Sequence, residues 1–199
     1  MIRTLYNSIC FLLSIPRLIP HLIIFNVDAN RETLIYDTKH WLNMNKSERN
    51  LQSGFIYLMT FYPEFRNLFY LRTCRVSKLF NFLCPKLRTL DIQSKNIGPG
   101  LFIQHGIATI IAVKSMGKNC HVHSHVSIGF ASNNIDLPTI GDNVYIGIGA
   151  RILGNVTVGS NTKIGANAVV VKNIPDNCTV VGVPAYIIRK NGVRTHEAL

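Results

Sequence analysis

Four histidines carry the chemistry this sequence could do. His105 stands in the run Phe102-Ile103-Gln104-His105-Gly106, and His121, His123 and His125 alternate between Cys120 and Val126. Neutral imidazole titrates near physiological pH, so a positioned histidine can take the proton of a hydroxyl group as its oxygen attacks a carbonyl. On an extended strand alternate residues share a face, which would set the three later histidines outward while Val122 and Val126 turn to the core. Three outward imidazoles suggest zinc. Neighbours two apart would sit about 7 Å from one another and the outer pair roughly 13 Å, however, so one straight strand closes no three-histidine site and no metal is expected. The five cysteines, Cys10, Cys74, Cys84, Cys120 and Cys178, are odd in number and widely spaced, which reads as buried reduced thiols in a cytoplasmic protein. No GxGxxG or GxxxxGK[ST] pattern occurs, so neither a dinucleotide nor a nucleoside triphosphate site is implied.

The elements that must position these residues fall into two kinds. Up to residue 90, Trp41, most of the Phe and Tyr residues, and spacings such as Phe65, Leu68, Phe69, Arg72 and Val76 at three- and four-residue intervals predict helices, over Leu51 to Phe61 and Phe65 to Phe80 among others. Pro63 and Pro85 read as breaks, and Asn81 to Arg88 as the exit from the last helix. From residue 91 the helical period is lost. Aliphatic residues recur every sixth position, at Met116, Val122 and Ile128, and again at Ile140, Ile146, Ile152, Val158, Ile164 and Val170. Ile97 and Ile103 begin the same pattern one residue out of step, which demands a bulge before Met116. Gly98, Gly129, Gly141, Gly147, Gly159 and Gly165 follow the aliphatic residue. Such a hexad predicts a parallel β-helix, in which short strands turn one aliphatic side chain inward and glycines allow the corners. The hexad skips Asn134, so Phe130 to Pro138 reads as a loop thrown out from a coil.

Charge and hydropathy bound the partners. Charged residues make up 16% of the 199, hydrophobic residues 47%, and the mean hydropathy of +0.20 excludes a disordered chain. The net charge is +11, with twelve basic and five acidic residues up to Leu90, which suits an anionic partner. No nucleic-acid recognition motif accompanies it, so no nucleic acid is expected. From Ser8 to Phe25 the chain is apolar over nearly the length of a membrane crossing, but Pro16, Arg17, Pro20 and His21 interrupt it. Buried helices are the first reading, and a basic, apolar surface lying on the inner leaflet is the second.

The segments IGPGLFIQHG and TIGDNVYIGIGARILGNVTVGSNTKIGANAVVVKNIPDNCTVVGVPAYIIR closely resemble the hexapeptide-repeat acyltransferases, especially the serine acetyltransferase-like branch. The resemblance is strong over residues 91–190, and FYPEFRNLFYLR extends it loosely into the helical part. It implies an α+β chain, with helices over residues 1–90 and a left-handed parallel β-helix over 91–199 that ends in a short tail. It also implies a homotrimer that binds acetyl-CoA in the groove between neighbouring β-helices. His105 matches the family's general base. Where serine acetyltransferases carry an Asp-His pair and a second His before a Pro, this chain has Gln104-His105 and Asp136-Leu137-Pro138.

Those departures point to a sugar hydroxyl of a surface polysaccharide as the expected acceptor. Serine acetylation or amino-sugar N-acetylation is the alternative, and a metal-dependent β-helix hydratase a further one. Gln104, His123, His125 and Asp136 are the expected acceptor contacts. Gly147, Gly149, Ala150, Lys163, Gly165, Ala166, Lys172, Gly182, Pro184, Ala185 and Arg189 are the expected contacts for CoA. Small residues would let the pantetheine lie close to the wall, and cations would meet its phosphates. The expected location is cytoplasmic, with peripheral contact to the inner membrane leaflet.

Overall fold

The chain divides into two compact units, Met1–Leu87 and Arg88–Leu199. The computed structural model describes residues 2–73, 75–131 and 136–199, with side chains from Ile9 onward. Cys74 and the middle of the expected loop, Asn134 included, lie outside the described residues.

The first unit holds four helices, α1 (Ile2–Val27), α2 (Arg31–Met44), α3 (Leu51–Phe61) and α4 (Pro63–Arg72), then a 3₁₀ helix (Arg75–Phe80). Asn50 caps α3, accepting from the Ser53 amide at 3.0 Å, and Pro63 opens α4 at the one turn where a missing N–H costs nothing. The spacing from Phe65 predicts a helix through Phe80, but α4 stops at Arg72. Thr73 turns extended and its hydroxyl donates back to the Phe69 carbonyl at 2.8 Å, while Val76 is exposed and extends no buried stripe. The core is aromatic: Phe25 stacks on Phe55 at 4.3 Å, and Trp41 meets Phe65 edge-on at 5.4 Å. Within it Arg72 pairs with Asp37 at 3.0 Å, both nearly buried. Breaking such a pair leaves an uncompensated charge and costs about 3–5 kcal/mol.

Helix α1 runs through both Pro16 and Pro20. Ser14, Leu18, His21 and Phe25 are buried on one side, whereas Leu12, Leu13 and Ile23 on the other are exposed. The run is therefore half core and half surface.

The second unit is a parallel β-helix of three faces. One holds β1 (Leu90–Ile92), β3 (Thr109–Ile111), β6 (Ser127–Gly129), β9 (Arg151–Leu153) and β12 (Val169–Val170), in that order. The second holds β4 (Ser115–Met116), β7 (Thr139–Ile140) and β10 (Thr157–Val158). On the third, β2 (Phe102–Gln104), β5 (His121–His123), β8 (Tyr145–Ile146), β11 (Lys163–Ile164) and β13 (Cys178–Val181) are continued by antiparallel β14 (Tyr186–Lys190) and β15 (Val193–Ala198). The expected tail is thus two paired strands. Thr139 lies beside Thr157, Tyr145 beside Lys163 and Arg151 beside Val169, a step of 18 residues per coil. All nine hexad positions from Met116 to Val170 are buried.

The corners differ from the expectation. Asn119, Asn143, Asn161 and Asn177, not the glycines, hold the left-handed backbone at one corner, with φ between 56° and 58°. Short polar Asn tolerates that region, and its side chains form a ladder, Asn143 to Asn161 and Asn161 to Asn177 each at 3.0 Å. The neighbouring glycines serve close stacking instead: a Cβ on Gly159 would stand 2.4 Å from the Asp176 amide of the next coil.

In the first unit, His21 is fully buried and bonded to the Tyr70 hydroxyl at 2.7 Å. Burial, with the charges of Arg17 and Arg66, lowers its pKa from 6.5 to about 4. The unfolded chain therefore takes up this proton first as pH falls below about 6.5, and stability drops between there and pH 4 by at most about 3 kcal/mol. Urea denaturation midpoints should show that loss in the parent protein and not in His21→Leu; equal pH slopes in the two would contradict it.

Candidate active site

Two coils of the third face bring the histidines together. Strand register places Phe102 beside His121 and Tyr145 after it, and Gln104 beside His123. The side chains follow: Phe102 meets the His121 ring at 4.9 Å, His121 and His123 stack at 4.7 Å with 9° between planes, and Tyr145 stands edge-on to both at 5.0 and 5.1 Å. His121 Nε2 lies 3.1 Å from Gln104 Oε1. An amide oxygen only accepts, so His121 donates, and the Gln104 NH₂ group keeps its donors for a second partner.

His105 is displayed by an irregularity of the coil. Gln104 pairs with His123, 19 residues on, whereas Ile111 pairs with Ile128, 17 residues on. The corner between β2 and β3 therefore carries two residues more than the corner above it. That excess pushes His105 out: it is exposed, at φ 54°, and its carbonyl accepts from the Ile107 amide at 2.6 Å. A left-handed non-glycine residue costs on the order of 1 kcal/mol, which the ordered coils on either side hold in place.

His123 sits between the display and the wall. Its Nε2 is buried with no hydrogen-bond partner, and burial, assisted by the charge of His105, lowers its pKa. A neutral imidazole with an unmet ring nitrogen beside His105 is a group ready for a ligand. The next coil sets no side chain beside it, because Gly147 follows inward Ile146 as His123 follows inward Val122. A Cβ on Gly147 would stand 2.8 Å from the Ala166 amide, so the coil itself forbids a side chain there.

The expected acceptor set is not gathered as the alternation implies. The chain turns at buried Ser124, so His125 stands exposed at the next corner, at φ 60°, and only His121 and His123 share a strand face. The His125 carbonyl accepts from Arg151 Nη1. Asp136 is exposed, two residues before the buried Pro138. Among the described residues no three His, Cys, Asp or Glu side chains are grouped to hold a metal.

The residues expected at CoA divide between places. Gly147 and Gly165 lie on the third face, while Gly149, at φ 73°, and buried Ala150 form the corner beyond His125, and exposed Ala166 approaches the corner at Asn167. Lys172, Pro184 and Ala185 line a groove of about 690 Å³ together with Tyr186 and His196, which the sequence reading missed. Gly182, at φ 97°, turns the chain into it. Lys163 and Arg189 line a second recess of about 520 Å³ among Asn161, Asn177 and Asn191. Tyr145 was also missed; the signal available was its outward position, immediately before inward Ile146 and one coil beyond His121.

Because His105 contributes to the lowered pKa of His123, His105→Asn should move the His123 titration upward. Side-chain ¹H–¹⁵N NMR over pH 5 to 8 reads both rings, and an unmoved His123 would separate them.

Residues 138–172 match the family model described as bacterial transferase hexapeptide (six repeats). A serine acetyltransferase of Synechococcus elongatus is 34% identical over 123 residues, which is 60% of this chain and 50% of that protein. One of Staphylococcus aureus is 42% identical over 101 residues, 49% of this chain and 47% of that protein. The chain spans about half the length of these curated relatives. Among solved structures, Neisseria gonorrhoeae serine acetyltransferase in complex with serine superposes with a TM-score of 0.64 at 26% identity, over 80% of this chain and 69% of that one. These likenesses overturn the expectation of a surface-polysaccharide acceptor. The second unit is a left-handed parallel β-helix, the fold of the serine acetyltransferases to which this chain is similar, and residues 138–172 within it match the bacterial transferase hexapeptide repeats.

Proposed function

We propose that this chain is an acetyl-CoA-dependent O-acetyltransferase whose acceptor is the hydroxyl of serine, with His105 as general base. The observation that carries the reading is the corner insertion that displays His105 beside neutral His123, in a chain similar to serine acetyltransferases.

The hydroxyl oxygen attacks the thioester carbonyl while its proton passes to the His105 imidazole. The tetrahedral adduct then expels the CoA thiolate, which takes that proton back, leaving an acetyl ester and free CoA. His123 gives the acceptor a hydrogen-bonding nitrogen without adding a second cation beside the base. Gln104, fixed by His121, supplies amide donors in place of a carboxylate. The bare wall at Gly147 admits a close-lying pantetheine arm, and the groove at Lys172, Pro184 and Ala185 and the recess at Lys163 and Arg189 offer cations for phosphates.

CoA release with L-serine should exceed that with amino sugars, and His105→Ala should lower it by about 10²–10⁴ while the melting temperature and CoA affinity stay near parent values. Turnover of an amino sugar with serine inert would overturn the acceptor, and a fully active His105→Ala would overturn the base.

Three-fold association belongs to this proposal, because one β-helix gives an inter-helix groove a single wall. Light scattering should give the mass of three chains; a stable active monomer would refute it.

A further inference from the structure

We propose that the helical unit carries a docking surface for an anionic lipid bilayer, made of the outer face of α1 and the exposed side of the 3₁₀ helix. This stands apart from the acetyl-transfer reading. On α1, Ile9, Leu12, Leu13, Ile19, Ile23 and Val27 are 48–74% exposed, and exposed Pro16 fills the gap in their three- and four-residue spacing. They form one apolar stripe about 27 Å long. The opposite face is committed to the core through Leu18, His21 and Phe25, so α1 lies along a surface and does not cross one. The His21 ring meets Phe80 of the 3₁₀ helix at 6.3 Å, and that adjoining segment exposes Val76, Leu79 and Phe82 by 54–77%.

Charge identifies the occupant. Residues 2–27 contain Arg3 and Arg17 and no acid; residues 75–87 contain Arg75, Lys78 and Lys86 and no acid. Arg17, Arg75, Lys78 and Lys86 are all exposed. The acids of this unit, Asp28, Glu32, Asp37, Glu48 and Glu64, all lie outside these two segments, and Asp37 is buried against Arg72. A second copy would set basic against basic. A bilayer with anionic headgroups answers both properties, taking the apolar stripe at the acyl boundary and the cations at its surface.

The full chain is sedimented with vesicles of phosphatidylcholine alone and of phosphatidylcholine with one-third phosphatidylglycerol, at low and high salt. Binding is expected to the anionic vesicles at low salt and to weaken with salt. Each basic residue at such a surface is worth about fivefold in partition, so Arg75→Gln with Lys78→Gln should weaken binding roughly 25-fold, and Leu12→Glu with Leu13→Glu should abolish it. The same charge change at Lys39 on α2 and at Lys46 just beyond its end, Lys39→Gln with Lys46→Gln, should leave partition within about twofold; circular dichroism confirms that each variant is folded. Equal binding to neutral vesicles, no binding to either, or equal losses in the two Lys/Arg variants would overturn the surface. So would a fall in the mass by light scattering of Leu12→Glu with Leu13→Glu while vesicle binding persists, which would assign the stripe to a second copy.

Discussion

Every feature of the second unit depends on one constraint, the stacking of an inward aliphatic side chain above its equivalent in the coil below. Each fully buried Ile or Val contributes about 1.5–3 kcal/mol, and the column is continuous only if the backbone returns to the same place after each circuit. Parallel strand pairing satisfies the backbone groups of the faces, and the Asn ladder satisfies side-chain amides at a corner. Irregularity is therefore admitted only between strands, where it adds length without moving the column. The two extra residues that carry His105 are such an addition.

The helical unit solves a different problem. Its core is built from aromatic rings and contains polar groups that have been paired inside it: His21 with Tyr70, Arg72 with Asp37, and Arg66, which donates to the carbonyls of Met59 and Thr60 at 2.6 Å each. Arg66 thereby satisfies the carbonyls at the end of α3, which have no amide partners within the helix. The buried charges cost solvation, so they define one arrangement of the helices more than they add to stability.

Much of this was legible because the hexad is a long, strict period. Nine aliphatic positions named from spacing are all buried, and the shift between Ile103 and Met116 located the irregular coil. What spacing could not show was how that shift is divided. The net excess of one residue is an insertion of two at the corner of His105 and a shortening before β4, and periodicity reports only their sum. It also missed Ile111, the inward residue of β3, which the shift had moved out of step. The alternation of His121, His123 and His125 misled because it runs across a corner, where period two has no meaning. In the helical part the three- and four-residue spacing placed the buried face of α4 but carried the helix too far, since the stop is made by the Thr73 hydroxyl and not by a proline. The acceptor was misread because two substituted polar residues were given more weight than the hundred residues of pattern around them.

The regular step between coils turns the third face into a ruler. Parallel strands lie about 4.8 Å apart, so β2, which leads into His105, and β13, which leads into the groove beside Pro184, are four steps or about 19 Å apart. Under the acetyl-transfer reading, that span must match the reach of the donor's flexible arm from its nucleotide end to its thioester. A chain that gained one whole coil between β8 and β11 would keep its column, its corners and its fold, and would lose only the length match. Under that reading coil number is a quantity set by the dimension of a small molecule, and folding alone leaves it free.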